Sequence, residues 1–387
     1  ALSSAASDVY KRQDKVKVKE KKSSSLIEGN IGKAILLFVL PLIAGSLIQQ
    51  LYVTVDAIIV GRFAGKVGLA AIDSINTLFK FPINFMNGLA AGATIIISRY
   101  FGAKATEHLH RSIRTAITIA FVLGIISSFG GVLLAPQLLK LMRVPTDIYR
   151  DTLTYCTIYF GGLWSLILYN MAAGILNAVG NSRRSLMYLA VASFSNIFLD
   201  LWLIGGMHMG VEGAAIATDI SQVLSCIFAL WFLMRVPDIY RINPKKLSID
   251  RTMAGRIIQV GLPTAIQNTV ISFSNVLVQS GVNGFGASAM AGFGAYLKVD
   301  GFNILPVMSF SMAATTFTGQ NYGAGKTDRI RKGLRVTLGM SVLYTIVTGI
   351  LLLTFSRPII GIFSSDKEVI YYLSLIHISE PTRPEPI

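Results

Sequence analysis

Residues 34–61 read AILLFVLPLIAGSLIQQLYVTVDAIIVG and contain a single charged side chain, Asp56. At about 1.5 Å per residue this run makes roughly 42 Å of helix, more than a hydrocarbon core of about 30 Å requires. Similar apolar runs recur along the chain, which is 52% hydrophobic and only 14% charged. This pattern predicts an all-α polytopic membrane protein. A carboxylate inside such a helix therefore needs an explanation.

The apolar runs predict nine helices and the beginning of a tenth. They cover residues 34–61, 68–99, 115–139, 152–179, 185–206, 210–234, 257–282, 287–321 and 336–356, and the tenth begins near residue 367. Several exceed the roughly 20 residues that a span requires, so we expect tilt, kinks or projection beyond the bilayer. The segment between the second and third runs, with His108 and His110, is predicted to be a loop. Cys156 and Cys226 lie inside apolar runs, which indicates neither a disulfide framework nor a metal site.

The net charge of +15 is concentrated in the short segments between the apolar runs. Counted on alternate sides of the membrane, Lys and Arg number 25 on the side of the N-terminus and 7 on the other. Since positive charge favours the cytoplasm, the N-terminus is predicted to be cytoplasmic. The cations are topology signals and do not form a nucleic-acid surface, so we predict a lipid bilayer and no nucleic acid as partner.

Two pairs of similar segments indicate an internal repeat. VLPLIAGSLIQQ at 39–50 aligns with GLPTAIQNTVIS at 261–272 at an offset of 222, and LAAGATIIISRYFGAK at 89–104 aligns with FSMAATTFTGQNYGAG at 310–325 at an offset of 221. An even number of helices per half makes the repeat parallel, so we predict two six-helix lobes related by a pseudo-two-fold axis along the membrane normal. That architecture is typical of alternating-access carriers.

The repeat predicts how the chain is divided. We expect a basic cytoplasmic tail at 14–33, an N-terminal lobe of six helices at 34–235, a cytoplasmic linker at 236–256 and a partial C-terminal lobe at 257–373. The ends, 1–13 and 374–387, resemble translated sequencing-adapter sequence and are expected to be artefacts. We therefore expect the chain to be a fragment cut at its C-terminal side, and to lack transport activity by itself.

Four polar residues are predicted to lie together in the outer part of the N-terminal lobe. Counted along their helices, Asp56, Asp200 and Thr218 reach the same depth, and Asn196 lies on the face of Asp200, one turn away. Two carboxylates in a low-dielectric bundle cannot both stay ionised cheaply, so at least one should hold a proton near neutral pH. A proton-coupled carrier needs such a group.

Pro41 removes a backbone hydrogen bond from the first helix and offers a bend point where protonation of Asp56 can change the helix shape. Simpler interpretations stay open. Asp56 can reach headgroup water, Asp200 can cap a helix end, Asn196 and Thr218 can act as interhelical hydrogen bonds, and Pro41 can be a packing kink alone.

Two further charge pairs lie inside apolar helices, Asp73 with Lys80 in the second and Lys298 with Asp300 in the eighth. Each pair either neutralises itself or lines a cavity, and the sequence does not decide between these two roles.

The chain resembles the multidrug and toxic compound extrusion (MATE) family. The resemblance covers about residues 28–373 and is carried by LPLIAGSLIQQLYVTVDAIIVGRFAG, AAGATIIISRYFGA, YNMAAGILNAVGNSRRSL, SNIFLDLWLIGG and GVEGAAIATDIS. It implies a twelve-helix, two-lobe antiporter, of which about nine helices and a stub are present here. Such a protein exports cationic, amphipathic compounds in exchange for protons or sodium and needs no other cofactor.

The resemblance also implies roles for individual residues. The N-lobe cation site of proton-coupled members matches Asp56, Asn196, Asp200 and Thr218. Pro41 matches the kink proline of their first helix. Tyr155 and Asn170 match cavity-lining polar positions less closely. Where sodium-coupled members place a glutamate in helix seven, this chain has Gln267 and Asn268.

We therefore predict a monomeric secondary active antiporter for small cationic molecules in a bacterial inner membrane. The absence of an ATP-binding loop, a metal motif and a nucleophile constellation from the sequence argues against an enzyme. One alternative is a flippase of lipid-linked precursors, which needs a cationic cavity and finds only Lys80 and Lys298 inside the helices. A second is a non-transporting scaffold or sensor, in which the buried acids are dispensable.

Overall fold

The structure, a computed structural model, describes residues 26–142, 144–146, 148–283 and 287–354. Within these ranges it consists of nine α-helices: α1 Ile31–Phe63, α2 Gly65–Gly102, α3 Thr106–Leu141, α4 Tyr149–Ala178, α5 Ser182–Asp200, α6 Gly210–Arg235, α7 Arg251–Asn283, α8 Ala287–Gly323 and α9 Thr327–Thr354. A π-helical segment, Leu201–Gly206, extends α5, and a 3₁₀ turn, Pro244–Lys246, follows α6. The nine predicted helices are confirmed, and the tenth lies outside the described residues.

Seven of these helices, α1 to α6 and α9, contain an apolar stretch long enough to cross a membrane. Large apolar side chains on their outer faces are open to the surroundings. For example, Phe129 of α3 and Phe198 of α5 are each 68% exposed, and Leu338 of α9 is 67% exposed. A soluble protein does not present so much contiguous apolar surface to water. The predicted polytopic membrane fold is therefore confirmed.

Several helices begin earlier than the hydropathy pattern predicts. The predicted loop with His108 and His110 is wrong, because both residues lie in the first turns of α3. Hydropathy marks only the apolar part of a helix, whereas these polar turns are stabilised locally. Arg111 forms an ion pair with Glu107 one turn away, and the His110 Nε2 lies 2.6 Å from the carbonyl oxygen of Ile239. In the same way, α7 begins at Arg251, inside the predicted linker.

Helix α1 divides its packing between two groups of helices. Its first part contributes Ile35, Phe38 and Val39 to a core shared with Phe310 and Phe317 of α8. Its last part contributes Ile59 and Val60 to the larger core formed by α2 to α6. Pro41 lies inside the helix, and the contact with α8 continues beyond it, because the Oγ of Ser46 lies 3.3 Å from the Oγ of Ser309. A single helix therefore touches both groups.

The C-terminal ends of α2 and α8 meet in a close contact, which we call the α2–α8 seam (residues 98–102 and 319–323). A Cβ atom placed on Gly102 would overlap the backbone of Gln320, and one placed on Gly323 would overlap the backbone of Arg99. At the offset of 221 between the aligned segments, Gly102 corresponds to Gly323 and Arg99 to Gln320. The contact is thus reciprocal, as a two-fold relation between the two segments requires.

Candidate cation-coupling site

Two helices bring Asp56 and Asp200 together. Asp56 lies two turns before the end of α1 at Phe63, and Asp200 is the last residue of α5 before the π-helical segment. The Asp200 side chain is completely buried, at 0% exposure. Its backbone angles are helical, at φ −61° and ψ −48°, and it makes no capping hydrogen bond, so the capping interpretation of Asp200 is wrong. A π-helical insertion is typical of a functional position.

The carboxyl groups of Asp56 and Asp200 lie within hydrogen-bonding reach of each other. The Oδ1 atom of Asp56 and both carboxyl oxygens of Asp200 are buried and have no donor among the described residues. Two ionised carboxylates offer acceptors but no donor, so a hydrogen bond between them requires a proton on one of them. The pair is therefore complete only with a proton or another cation. Because the Asp56 side chain as a whole is partly exposed, the headgroup-water interpretation stays open.

Asn196 and Thr218 form a second pair beside the first. The Asn196 Nδ2 donates to the Oγ1 of Thr218 over 3.4 Å, which joins α5 to α6. The Asn196 Oδ1 is buried without a donor among the described residues, one helical turn before Asp200. Asn196 thus acts as an interhelical hydrogen bond and also adds an acceptor oxygen next to the carboxyl pair.

Tyr52 is a neighbour of the pair that the sequence interpretation missed. Its phenol lies close enough to Asp56 and Asp200 for the charge of either carboxylate to act on it, which we call electrostatic reach. Its spacing of one helical turn before Asp56 is the sequence signal that could have found it, because residues four apart share a helix face.

The two cavity positions suggested by resemblance lie in different surroundings. Tyr155 of α4 is 5% exposed and within electrostatic reach of Asp56. Asn170, further along α4, donates from its Nδ2 to the Oδ1 of Asn87 in α2 over 3.1 Å. Tyr155 therefore borders the carboxyl pair, whereas Asn170 links α4 to α2.

The remaining candidate positions with described side chains are exposed or contact other residues. Lys80 is exposed on α2, Gln267 is exposed on α7, and Asn268 lies 3.5 Å from the carbonyl oxygen of Asn84. The other members of the two charge pairs, Asp73, Lys298 and Asp300, have side chains outside the described set.

Comparison with known proteins identifies the family. The family model described as MatE matches residues 41–202 and 263–379. This chain belongs to the MatE family. The resemblance seen in the sequence is confirmed, and with it the prediction that the protein is a membrane transporter for small molecules and not an enzyme. The second match ends at residue 379, so it enters the terminal stretch that was expected to be an artefact.

Relatives cover most of this MatE chain. It is 28% identical over 349 residues to the probable multidrug resistance protein YoeA of Bacillus subtilis (strain 168), covering 88% of this chain and 75% of that protein. It is 24% identical over 376 residues to a protein of Shewanella oneidensis named FAD transporter, covering 94% and 81%.

The fold is shared with solved MATE structures. One is the outward-facing conformation of a multidrug resistance MATE family transporter of the MOP superfamily, with a TM-score of 0.85 and 23% identity. The similarity covers 92% of this chain and 80% of that one.

Proposed function

We propose that this MatE protein is a secondary active antiporter that exports cationic, amphipathic compounds in exchange for protons or sodium ions. It would act in a bacterial inner membrane with its N-terminus in the cytoplasm, the orientation that the distribution of Lys and Arg favours. The pair of Asp56 and Asp200, whose buried oxygens lack a donor among the described residues, is the observation that carries the proposal. Names of relatives that refer to multidrug resistance support the class of substrate.

The carboxyl pair provides a switch between two charge states. With one shared proton, the carboxyls hydrogen-bond to each other and the site carries a single negative charge. When that proton leaves, two negative charges repel each other in a low-dielectric bundle, and the energy of the site rises steeply. The proton-free state persists only with hydration or with a compensating cation. Competition between a proton and an organic cation for the same negative charge is what antiport requires.

Helix α1 connects this switch to the rest of the molecule. Its outer part carries Asp56, while its first part packs against Phe310 and Phe317 of α8. Pro41, which cannot donate a backbone hydrogen bond, lies within the part that packs on α8, well before Asp56, and is a natural place for the helix to change shape. A change in the charge of Asp56 thus has a mechanical route to the helices of the second repeat.

The same oxygens also suit sodium. Carboxylate, amide and hydroxyl oxygens are hard ligands, and Asp56, Asn196, Asp200 and Thr218 supply all three kinds. We favour the proton because the two carboxyls lie within direct hydrogen-bonding reach, a separation that one proton satisfies. A sodium ion would have to enter between them.

The test is ethidium efflux from vesicles that contain the protein, driven separately by a proton gradient and a sodium gradient. Asp56→Asn and Asp200→Asn are each expected to lower proton-driven efflux by about a hundredfold or more, the usual cost of losing an essential proton-carrying group. Glu212→Gln, which removes an exposed acid from the first turn of α6, is the matched control and should behave like the unmodified protein.

Sodium coupling and each alternative function predict a different result in this assay. Efflux that depends on sodium alone would assign the site to that ion. A flippase would move a lipid-linked pyrophosphate instead of ethidium. A scaffold or sensor would move nothing under either gradient, and both aspartates would be replaceable.

A further inference from the structure

A third carboxyl group lies inside the N-terminal bundle. Asp219 follows Thr218 in α6, but consecutive residues of a helix are turned by about 100°, so the two side chains leave α6 in different directions. Thr218 meets Asn196 of α5, whereas the Asp219 carboxyl lies directly on the backbone of Gly162 in α4. A Cβ atom at position 162 would overlap the carboxyl carbon. The absence of a side chain at Gly162 therefore creates the space that Asp219 occupies.

Aromatic rings of α2 and α4 lie near this carboxyl. Tyr155 and Tyr159 of α4 both lie within its electrostatic reach. Phe79 of α2 stacks on Tyr159 with ring centroids 4.1 Å apart and contacts Phe160 edge to face at 5.0 Å. Phe79 is 3% exposed and Phe160 4% exposed. Asp219 itself is half-buried, and apolar rings packed in this way lower the dielectric around the tyrosines beside it.

Asp219 has no cationic partner among the described residues. The ion pairs found in that part of the chain are those of Arg111 with Glu107 and with Asp250, both outside the bundle interior. An ionised carboxylate at membrane depth without a counter-charge is costly, and such residues in transporters mark proton or ion pathways. The smallest species that removes this cost is a proton.

Two tyrosine side chains lie near both this carboxyl and the coupling pair. Tyr155 lies within electrostatic reach of both Asp56 and Asp219, and Tyr159 lies within reach of both Tyr52 and Asp219. A phenol hydroxyl both donates and accepts hydrogen bonds, so it can link a protonated carboxyl to an ionised one. The titratable groups that act on this region among the described side chains are Tyr52 and Asp56 from α1, Tyr155 and Tyr159 from α4, and Asp200 from α5. The side chain of Asp73 in α2 is outside that set.

We propose that Asp219 is a second proton-carrying site of the N-terminal lobe, separate from the Asp56 and Asp200 pair and joined to it through Tyr155. This inference rests on the proposed antiport, because it adds a proton to the same exchange. Asp219 binds one proton as a neutral carboxylic acid and releases it to water when its surroundings hydrate, so no other reactant is needed.

The experiment has two measurements on the purified full-length protein. The first is a pH titration followed by infrared difference spectroscopy, which detects the carbonyl stretch of protonated carboxyl groups and needs no transport. Asp219→Asn is expected to remove one titrating carboxyl signal, Asp219→Glu to restore a shifted one, and Glu212→Gln to leave the buried signals unchanged. An unchanged buried signal in Asp219→Asn would overturn the proposal.

The second measurement is the number of protons exchanged per ethidium in reconstituted vesicles. Asp219→Asn should lower this number by about one, since one coupled site is lost, and Asp219→Glu should restore it. The same number in Asp219→Asn and in the unmodified protein would overturn a role in transport, even if the infrared signal disappears. Failure of the unmodified protein to pump under either gradient is a different result, which would overturn the proposed function.

Discussion

The two ends of α1 are held by charged groups of opposite character. Just before the helix begins, Arg329 of α9 donates to the carbonyl oxygens of Gly29 at 2.8 Å, Glu28 at 2.9 Å and Leu26 at 3.4 Å. Near its other end, Asp56 meets Asp200, and no donor among the described residues satisfies them. The guanidinium is permanently charged and its donors are used by fixed backbone dipoles. The carboxyl pair is completed only by something that binds and leaves.

This difference indicates that the beginning of α1 is held in one arrangement, and we call it the fixed end. The end of α1 that carries Asp56 can change its charge and its partner, and we call it the changeable end. The fixed end includes the buried side chain of Leu26 and a further bond from the Lys326 Nζ to the carbonyl oxygen of Ile27 at 3.0 Å. It adjoins the α2–α8 seam, because the Nδ2 of Asn321 donates to the carbonyl oxygen of Leu26 at 3.2 Å. Charge changes at Asp56 therefore act on a helix that is anchored at its other end to the second repeat.

The largest effect is expected from a substitution in the α2–α8 seam, next to the fixed end of α1. Gly323→Leu places a side chain against the backbone of Arg99, where no flexible group can move aside, and we expect a loss of about 3 kcal/mol or more of stability. Thermal unfolding in detergent measures this loss. Gly339→Leu, at an α9 position with open space around it, is the control. Equal unfolding temperatures for the two variants would show that the seam is looser than the structure has it.

A smaller effect is expected at Arg329. Arg329→Ala removes its hydrogen bonds to three backbone carbonyls, and we expect the free energy of unfolding to fall by about 2 kcal/mol. Arg329→Lys should recover only part of this loss, because a point charge does not reproduce the planar fork of donors. Arg331→Ala, an exposed neighbour on α9, is the matched control. If Arg331→Ala were equally destabilising, general charge and not the anchoring of residues 26–29 would be responsible.

The smallest effect is expected at Thr218, and it tests whether this residue belongs to the coupling site at the changeable end of α1. Thr218→Val keeps the shape of the side chain but removes the acceptor of Asn196. If Thr218 completes the coupling site, the apparent affinity for the coupling ion should fall by about fivefold, equivalent to about 1 kcal/mol, with little change in unfolding temperature. The opposite pattern, a lower unfolding temperature with unchanged ion affinity, would make Thr218 an interhelical hydrogen bond only.

Sequence reasoning did well where position along a helix decides the outcome. It placed Asp56, Asp200 and Thr218 at one depth, and the structure brings the two carboxyls within hydrogen-bonding reach. It did less well with direction around a helix. The bond from Asn170 to Asn87 was not foreseen, and Asp219 was not noticed at all. The beginning of α3 was also missed, because charged turns can be helical without being apolar.

The sequence by itself determined that this protein is a multi-helix membrane transporter of the MatE family and which acids lie deep in its helices. Apolar length and charge asymmetry are properties of the linear chain, and depth follows from a fixed rise per residue. Tertiary structure alone decided which neighbour each buried polar group faces. The direction of a side chain around its helix has meaning only relative to the helices packed against it. That packing separates Thr218, which meets Asn196, from Asp219, which lies against Gly162.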